Sequence, residues 1–428
     1  MVLDRRWFLR TVAATAAVGG LAGLAGCSSS CPDDEPPTPA ETIGVDDEPG
    51  GGFDQAPGGS WPREHGSPGN TGYATGSLPA GDLAVRWRTA LDLPATDVGG
   101  LSASSPTVGG GRVFVADSRR VHALSVETGE VLWASERIAP TVIDALAATE
   151  ANTVAPTVGP NGRTFVGTGA GLVALDVGDG ATLWEVDGIG NVAAPVVADG
   201  TVYALGETAL AAVSLDGVER WRRSVERGRA PRSPAVAGDV VAARTTDGVR
   251  AFGADTGDER WQFGEHVETY PVIAEGACLV GNYRGLHAID VASGERLWRY
   301  SRGEHRALRS PVVTPETIYA VEQPGEAGAA SFALDRTDGE PRPRWCSYVG
   351  EGAVTAATDG LALGLTDVGE GPDAAKSIVA FGADLGDARW AIEGGSRPRS
   401  WVTPPAVLDG AVVVTTRGGT TAAIGGGG

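Results

Sequence analysis

The sequence predicts an all-β chain folded as an eight-bladed β-propeller, with an N-terminal strand closing the last blade. Three observations predict it. Tryptophans at 87, 133, 184, 221, 261, 298, 345 and 390 recur at intervals of 46, 51, 37, 40, 37, 47 and 45 residues, the length of a four-stranded blade. Six of them follow a glycine four positions earlier (Gly129, Gly180, Gly217, Gly257, Gly294 and Gly386), where a tight hairpin between third and fourth strands demands positive φ. Leu83-Ala84-Val85-Arg86-Trp87 has the fourth-strand pattern with no strands before it, whereas the C-terminal runs 412–416 and 420–424 leave a blade without its fourth strand. Joining the two closes the ring and leaves no free sheet edge at the seam.

Within each blade the same order recurs. In the first full blade the strands fall at Ser105-Pro106-Thr107-Val108, at 113–117 and at 122–126, and the fourth ends near Trp133. Later innermost strands open with Pro156, Pro195, Pro234, Pro271, Pro311 and Pro405, and blade seven has Val354 in that place. Proline at a strand start costs no ladder hydrogen bond.

The N-terminus reads as an address and an anchor. Residues 1–26 carry arginines and then an apolar stretch of 16 residues from Thr11 to Gly26, too short to span a bilayer comfortably. Asp4-Arg5-Arg6-Trp7-Phe8-Leu9-Arg10 resembles a twin-arginine export motif through Arg5 and Arg6, and Leu24-Ala25-Gly26-Cys27 resembles a lipobox, which implies lipid attachment at Cys27. Between Cys27 and Trp61 there are eight acidic residues, six prolines and no basic residue. That composition predicts a disordered stalk over 27–60, reaching at most about 110 Å, followed by the propeller over 61–428. The expected location is the cell-surface side of the cytoplasmic membrane, with the lipid as the membrane contact.

A formal charge of -20, from 34 basic and 54 acidic residues, argues against nucleic acid as a partner. All basic residues but Lys376 are arginine, a balance that resembles proteins adapted to multimolar salt, where the Debye length falls to about 3 Å or less. Cys278 and Cys346 read as two buried thiols or, alternatively, as a disulfide.

The stretches 123–133 and 288–298, Ala-Leu-Ser-Val-Glu-Thr-Gly-Glu-Val-Leu-Trp and Ala-Ile-Asp-Val-Ala-Ser-Gly-Glu-Arg-Leu-Trp, resemble the tryptophan-docking repeat of PQQ-like propellers. Trp61-Pro62 through Asn70-Thr71-Gly72-Tyr73 resembles the lead-in that precedes such domains. The resemblance implies that Trp87, Trp133, Trp184, Trp221, Trp261, Trp298, Trp345 and Trp390 are structural and wedge between neighbouring blades.

It also implies a choice between non-catalytic propellers that bind proteins or polymers and dehydrogenases that hold pyrroloquinoline quinone with calcium. The sequence has no Cys-Cys pair, no Cys-x-x-Cys-His site and no histidines at metal-ligand spacing; His122 and His287 share one repeat position and read as packing. The reading adopted is a monomeric scaffold with neither cofactor nor metal, and the quinone dehydrogenase is the alternative. Likeness to the propeller lipoprotein of the outer-membrane barrel assembly machine favours the scaffold by analogy.

Strand alternation places the links between blades and the links between second and third strands on one face. The long insertions at 88–103, 134–153, 322–330 and 366–377 fall there, with Arg223, Arg229, Arg232, Arg306, Arg309 and Arg399. These arginines predict a face for a protein or anionic ligand, through the planar donor fork of guanidinium; the competing reading pairs them with nearby carboxylates such as Glu226 and Glu304.

Overall fold

The structure, a computed structural model, describes residues 38–93, 103–143, 152–225, 233–301, 308, 311–325, 328–342, 353–368, 375–394 and 402–426. Eight blade sheets, built as antiparallel meanders, and one separate two-stranded hairpin make up the described strands, and none of the described residues is helical. Blade one comprises Thr107–Gly109, Arg112–Ala116, Val121–Ser125 and Val131–Ala134, and the later blades repeat that meander. In seven blades the innermost strand begins at the residue after a proline, so the imide sits where no ladder donor is needed. Blade six shows three strands, Val312–Val313, Thr317–Gly325 and Gly328–Asp335, and Pro341 bridges Leu334 where a fourth begins. Trp345 lies outside the described residues.

Ring closure follows the sequence pattern. Leu83–Ala90 pairs antiparallel with Thr420–Gly426, so the N-terminal strand completes blade eight beside Ala411–Thr415 and Ala406–Leu408.

The tryptophans explain how one blade finds the next. In seven blades alanine faces the indole across the ladder: Ala123, Ala174, Ala212, Ala251, Ala288, Ala380 and Ala423 oppose Trp133, Trp184, Trp221, Trp261, Trp298, Trp390 and Trp87. A bulge at that step re-aims the side chain toward the neighbouring blade. The indole N–H groups of Trp87, Trp133, Trp184, Trp221 and Trp261 then donate to Val126, Val177, Leu215, Ala254 and Val291 carbonyls of the following blade, each at 2.8 Å. At the seam no such turn exists, because the third and fourth strands of blade eight, Thr420–Gly426 and Leu83–Ala90, are not consecutive in the chain, and Trp390 donates instead to Pro79 at 3.0 Å.

Glycine serves this junction twice. At Gly129, Gly180, Gly217, Gly257 and Gly294 φ lies between 68° and 85°, and a Cβ there would come within 2.8 Å of the preceding blade's tryptophan. Gly386 departs from the expectation: the left-handed residue of its turn is Leu385, with φ of 57°. The turn is as long as that of blade one, Phe381 facing Ala388 as Leu124 faces Val131, but within it the Leu385 N–H bonds to Gly382 O three residues back, whereas Gly129 bonds to Ser125 O four back. In blade six Gly339, φ 73°, takes the role and packs on Trp298.

The acidic segment corrects a second expectation. Glu41–Gly44 is not part of a disordered stalk but a strand laid parallel on Ala388–Glu393 at the outer edge of blade seven. Ile43 and Val45 are buried while their neighbours are not, an alternation that the charge count concealed. The Glu41 carboxylate accepts the backbone N–H of Asp82 at 2.8 Å and of Leu83 at 3.2 Å. Further on, Gly50 donates to Val85 O and Phe53 to Glu127 O, so residues 41–53 strap the seam from blade seven across blade eight to blade one. Residues 1–37, which include Arg5, Arg6 and Cys27, lie outside the described residues.

The lead-in then runs around the inner edges of the blades. Gly58 bridges Asp409 of blade eight. The carbonyls of Trp61, Pro62, Pro68, Gly69, Thr71 and Gly72 accept the N–H groups of Val108, Val158, Val236, Ile273, Val313 and Ala357 at 2.7 to 2.9 Å. Those donors sit in or beside the innermost strands of blades one, two, four, five, six and seven, and Ser77 O returns the circuit to Gly410 of blade eight at 2.8 Å. An innermost strand has one edge with no sheet neighbour, and one circuit of extended chain satisfies donors that would otherwise be buried unpaired. Close approach is part of the fit: a Cβ on Gly69 would stand 2.2 Å from Ile273 O.

Candidate functional site

The face formed by the interblade links carries most of the molecule's elaboration. Blade six extends its second and third strands to a Gly325–Gly328 pair, and blade seven extends its own to Val368–Ala375. A short hairpin, Val142–Ile143 with Asn152–Thr153, projects from the link between blades one and two. Insertions expected as loops are thus largely β-hairpins, and continued strand pairing is what keeps their backbone groups satisfied.

Two clefts open on this face between blades three and five. One, of about 460 Å³, is lined by Glu207, Thr208, Val225, Thr246, Asp247 and Arg250. The other, of about 310 Å³, is lined by Glu265 and His266 of the link between blades four and five and by Asn282, Tyr283 and Arg284 of the next turn. Glu265 is the hub of the second cleft. It accepts from Asn282 Nδ2 at 3.3 Å and Arg296 Nη1 at 3.4 Å, and Arg284 stands 3.9 Å away. Tyr283 projects beside it, 49% exposed.

Three described arginines expected on or beside this face have partners, and Arg223 reaches the turn between third and fourth strands of blade four. Arg223 donates to Thr256 O at 2.8 Å and to the Asp258 carboxylate at 3.2 Å. Arg222 pairs with Glu219 at 2.6 Å, and Arg250 with Asp247 at 3.3 Å. For Arg223 the competing reading, a solvated ion pair, therefore describes the geometry; such a pair contributes about 0 to 1 kcal/mol. Arg229, Arg232, Arg306, Arg309 and Arg399 lie outside the described residues.

His122 and His287 clip equivalent turns. His122 Nε2 lies 2.8 Å from Asp117 Oδ2, and Asp117 Oδ1 accepts the backbone N–H groups of Arg119 and Arg120. Burial drives the Asp117 pKa up, but the His122 bond and the two backbone donors together outweigh it and hold the group below the usual carboxylate value. In blade five the carboxylate is replaced by Asn282, whose Oδ1 accepts from Arg284 N at 2.8 Å and from His287 Nε2 at 3.1 Å. His287 is fully buried, and burial pushes its pKa down to about 4 despite the opposing field of Glu265. Cys278 is a buried free thiol, raised to about 12 by burial, while Cys346 lies outside the described residues.

The described residues do not fit pyrroloquinoline quinone with calcium. Among the described residues Asp117 is the only buried carboxylate, and it is committed to a turn of blade one. The inner edges of seven blades are laced by the lead-in, which carries a buried cation, Arg63.

Residues 74–212 and 206–362 match the family PQQ_2, described as outer membrane protein assembly factor BamB. The chain belongs to this PQQ_2, or BamB, family. Its curated relatives include BamB of Yersinia pestis, 27% identical over 250 residues, which are 56% of this chain and 52% of that protein. BamB of Burkholderia pseudomallei is 25% identical over 169 residues, 37% of this chain and 42% of that protein. The serine/threonine-protein kinase AfsK of Streptomyces griseus is 30% identical over 167 residues, 34% of this chain and 20% of that protein. The chain thus spans about half the length, or less, of the curated relatives it matches. The crystal structure of BamB from Moraxella catarrhalis is similar with a TM-score of 0.57 and 13% identity over 80% of this chain and 99% of that one, a likeness of fold.

Proposed function

We propose that the chain is a lipid-anchored extracytoplasmic scaffold that holds a protein partner on the hairpin-bearing face of its propeller. The observation that carries this reading is the one-sidedness of the elaboration. The extended hairpins of blades six and seven and the Val142–Thr153 hairpin share a face, whereas the described turns between third and fourth strands are short. A rigid ring with elaborated links on one side is the arrangement on which binding sites are built. Relatives named as assembly factors support a binding role in place of a catalytic one.

In this reading Arg5 and Arg6 direct export, Cys27 carries the lipid, and Arg229, Arg232, Arg306, Arg309 and Arg399 meet carboxylates of the partner. Trimming the blade-six hairpin tests the reading: residues 322–330 are replaced by Asn-Gly, a two-residue turn across the Val321–Ser331 pair. The expected result is an unchanged melting temperature with loss of the partner that co-purifies with the intact protein from native-salt membranes. Full retention of that partner by the trimmed protein would contradict the assignment.

A further inference from the structure

The circuit formed by the lead-in leaves one group that scaffolding does not use. Arg63 is 1% exposed. Its Nη1 donates to Ser67 O at 2.9 Å and to Asn70 Oδ1, while Nε and Nη2 have no hydrogen-bond partner. Among the described residues it forms no ion pair, and the groups whose fields reach it are Glu64 and Tyr270. Burial lowers the guanidinium to about 10, which leaves it cationic at neutral pH. A buried charge without compensation costs several kcal/mol, and unsatisfied donors on it add to that cost.

The two idle donors are not scattered. Nε–H and the Nη2–H beside it lie along one edge of the planar guanidinium and point the same way, the fork that grips two oxygens of an oxyanion or a single halide. The other edge is fixed. Nη1 is held by Ser67 and Asn70, and Asn70 Nδ2 is in turn held by Pro234 O at 3.0 Å and Pro271 O at 2.9 Å, the residues that open the innermost strands of blades four and five. With Asn70 pinned to two blades, the bonds to Nη1 fix the orientation of the guanidinium and hold its free edge inside the protein. Two residues upstream Trp61 Nε1 is a second buried donor without an acceptor, on the same segment.

We propose that the Nε/Nη2 edge of Arg63 is a binding site for a small monovalent anion, a halide or a carboxylate-sized oxyanion, enclosed in the propeller by the lead-in. At 1% exposure the edge is closed to a macromolecular side chain while the circuit is intact, so the ligand is a free ion. The bound anion neutralises the guanidinium and completes its hydrogen bonding, which makes the stability of the ring depend on anion concentration by mass action.

The test uses bromide as the probe and the full-length protein. Crystals transferred from sodium chloride to sodium bromide, measured at the bromine absorption edge, are expected to show an anomalous peak within hydrogen-bonding distance of both Arg63 Nε and Nη2. Bromide at surface arginines with none at Arg63 overturns the proposal and leaves an ordered water as the occupant. In solution, melting temperatures of wild type and Arg63→Gln are compared across one bromide series, so that general salt effects cancel. The gap between the two curves is expected to widen and then level off; parallel curves overturn the proposal. Should Arg63→Gln fail to fold, the diffraction measurement decides on the unaltered protein.

Discussion

The indole N–H of Trp87 donates to the carbonyl of Val126 at 2.8 Å, and through that bond the N-terminal closing strand of blade eight is fastened to blade one. The same ring lies against Gly129, where a Cβ would stand 2.4 Å from Trp87 Cε3 and φ is 72°. Three substitutions separate these contributions by urea midpoint. Trp87→Phe, which keeps one aromatic ring but loses the N–H and part of the indole's buried volume, is expected to cost about 1 to 2 kcal/mol or more, and Trp87→Ala about 3 to 5 kcal/mol. Gly129→Ala is expected to cost at least about 2 kcal/mol, from strain at positive φ added to the clash.

Asn70 is the polar pivot of the lead-in. It is 1% exposed, adopts φ of 61°, receives Arg63 and donates to Pro234 O and Pro271 O. Asn70→Ala loses all three bonds and is expected to lower stability by about 2 to 4 kcal/mol in urea unfolding. Asn70→Gly, which relieves the backbone but also loses the bonds, is expected to recover only part of that loss.

Acid sensitivity has two expected sources of the same sign. His287 has a folded pKa of about 4, below its ordinary value, because it is buried, with Glu265, Arg284, Arg296 and Arg299 around it. The unfolded chain therefore binds the proton first: stability is whole above about pH 6.5 and falls as pH drops toward 4, by up to about 3 kcal/mol. His287→Gln is expected to flatten that limb of a melting-temperature profile. Asp117, held below its ordinary value, contributes stability that is present above about pH 4 and lost at lower pH, so Asp117→Asn flattens the lower limb.

Charge on the hairpin-bearing face has a separate readout. Arg232→Glu combined with Arg309→Glu is expected to weaken partner binding at least tenfold and to reduce its salt dependence while leaving the melting temperature unchanged. Unaltered affinity measured at two ionic strengths contradicts a role for these guanidinium groups. Cys27→Ser is expected to release the protein from membranes, read by fractionation and by loss of lipid mass.

Ring closure and blade number were legible because each rests on one residue's chemistry repeated: an indole that must find a carbonyl, a glycine that must reach positive φ beneath it, a proline at the strand start. Gly386 marks the limit of that logic, since in a turn of the same length as blade one's the left-handed residue is Leu385, one position earlier. The circuit of the lead-in was legible only as the recurring Trp61 to Tyr73 motif. Its backbone carbonyls do the work, and Pro62, Pro68, Gly69 and Gly72 carry neither a periodicity of 2 nor one of 3.6. Glu41–Gly44 was hidden by composition: four residues of alternation were outvoted by eight acids and six prolines. Arg223, expected on the candidate face, pairs instead with Asp258 on the turn between third and fourth strands of the next blade, 35 positions away, a proximity that no local spacing displays.

A photoreactive amino acid placed at position 283 or at position 218 tests the account most directly. Tyr283 is 49% exposed at the cleft between blades four and five, and Val218 is 65% exposed on a turn between third and fourth strands, the opposite face. Illumination of native membranes is expected to yield a discrete adduct from position 283 and none from 218. An adduct from 218 alone, or from neither, would contradict the assignment of the binding face.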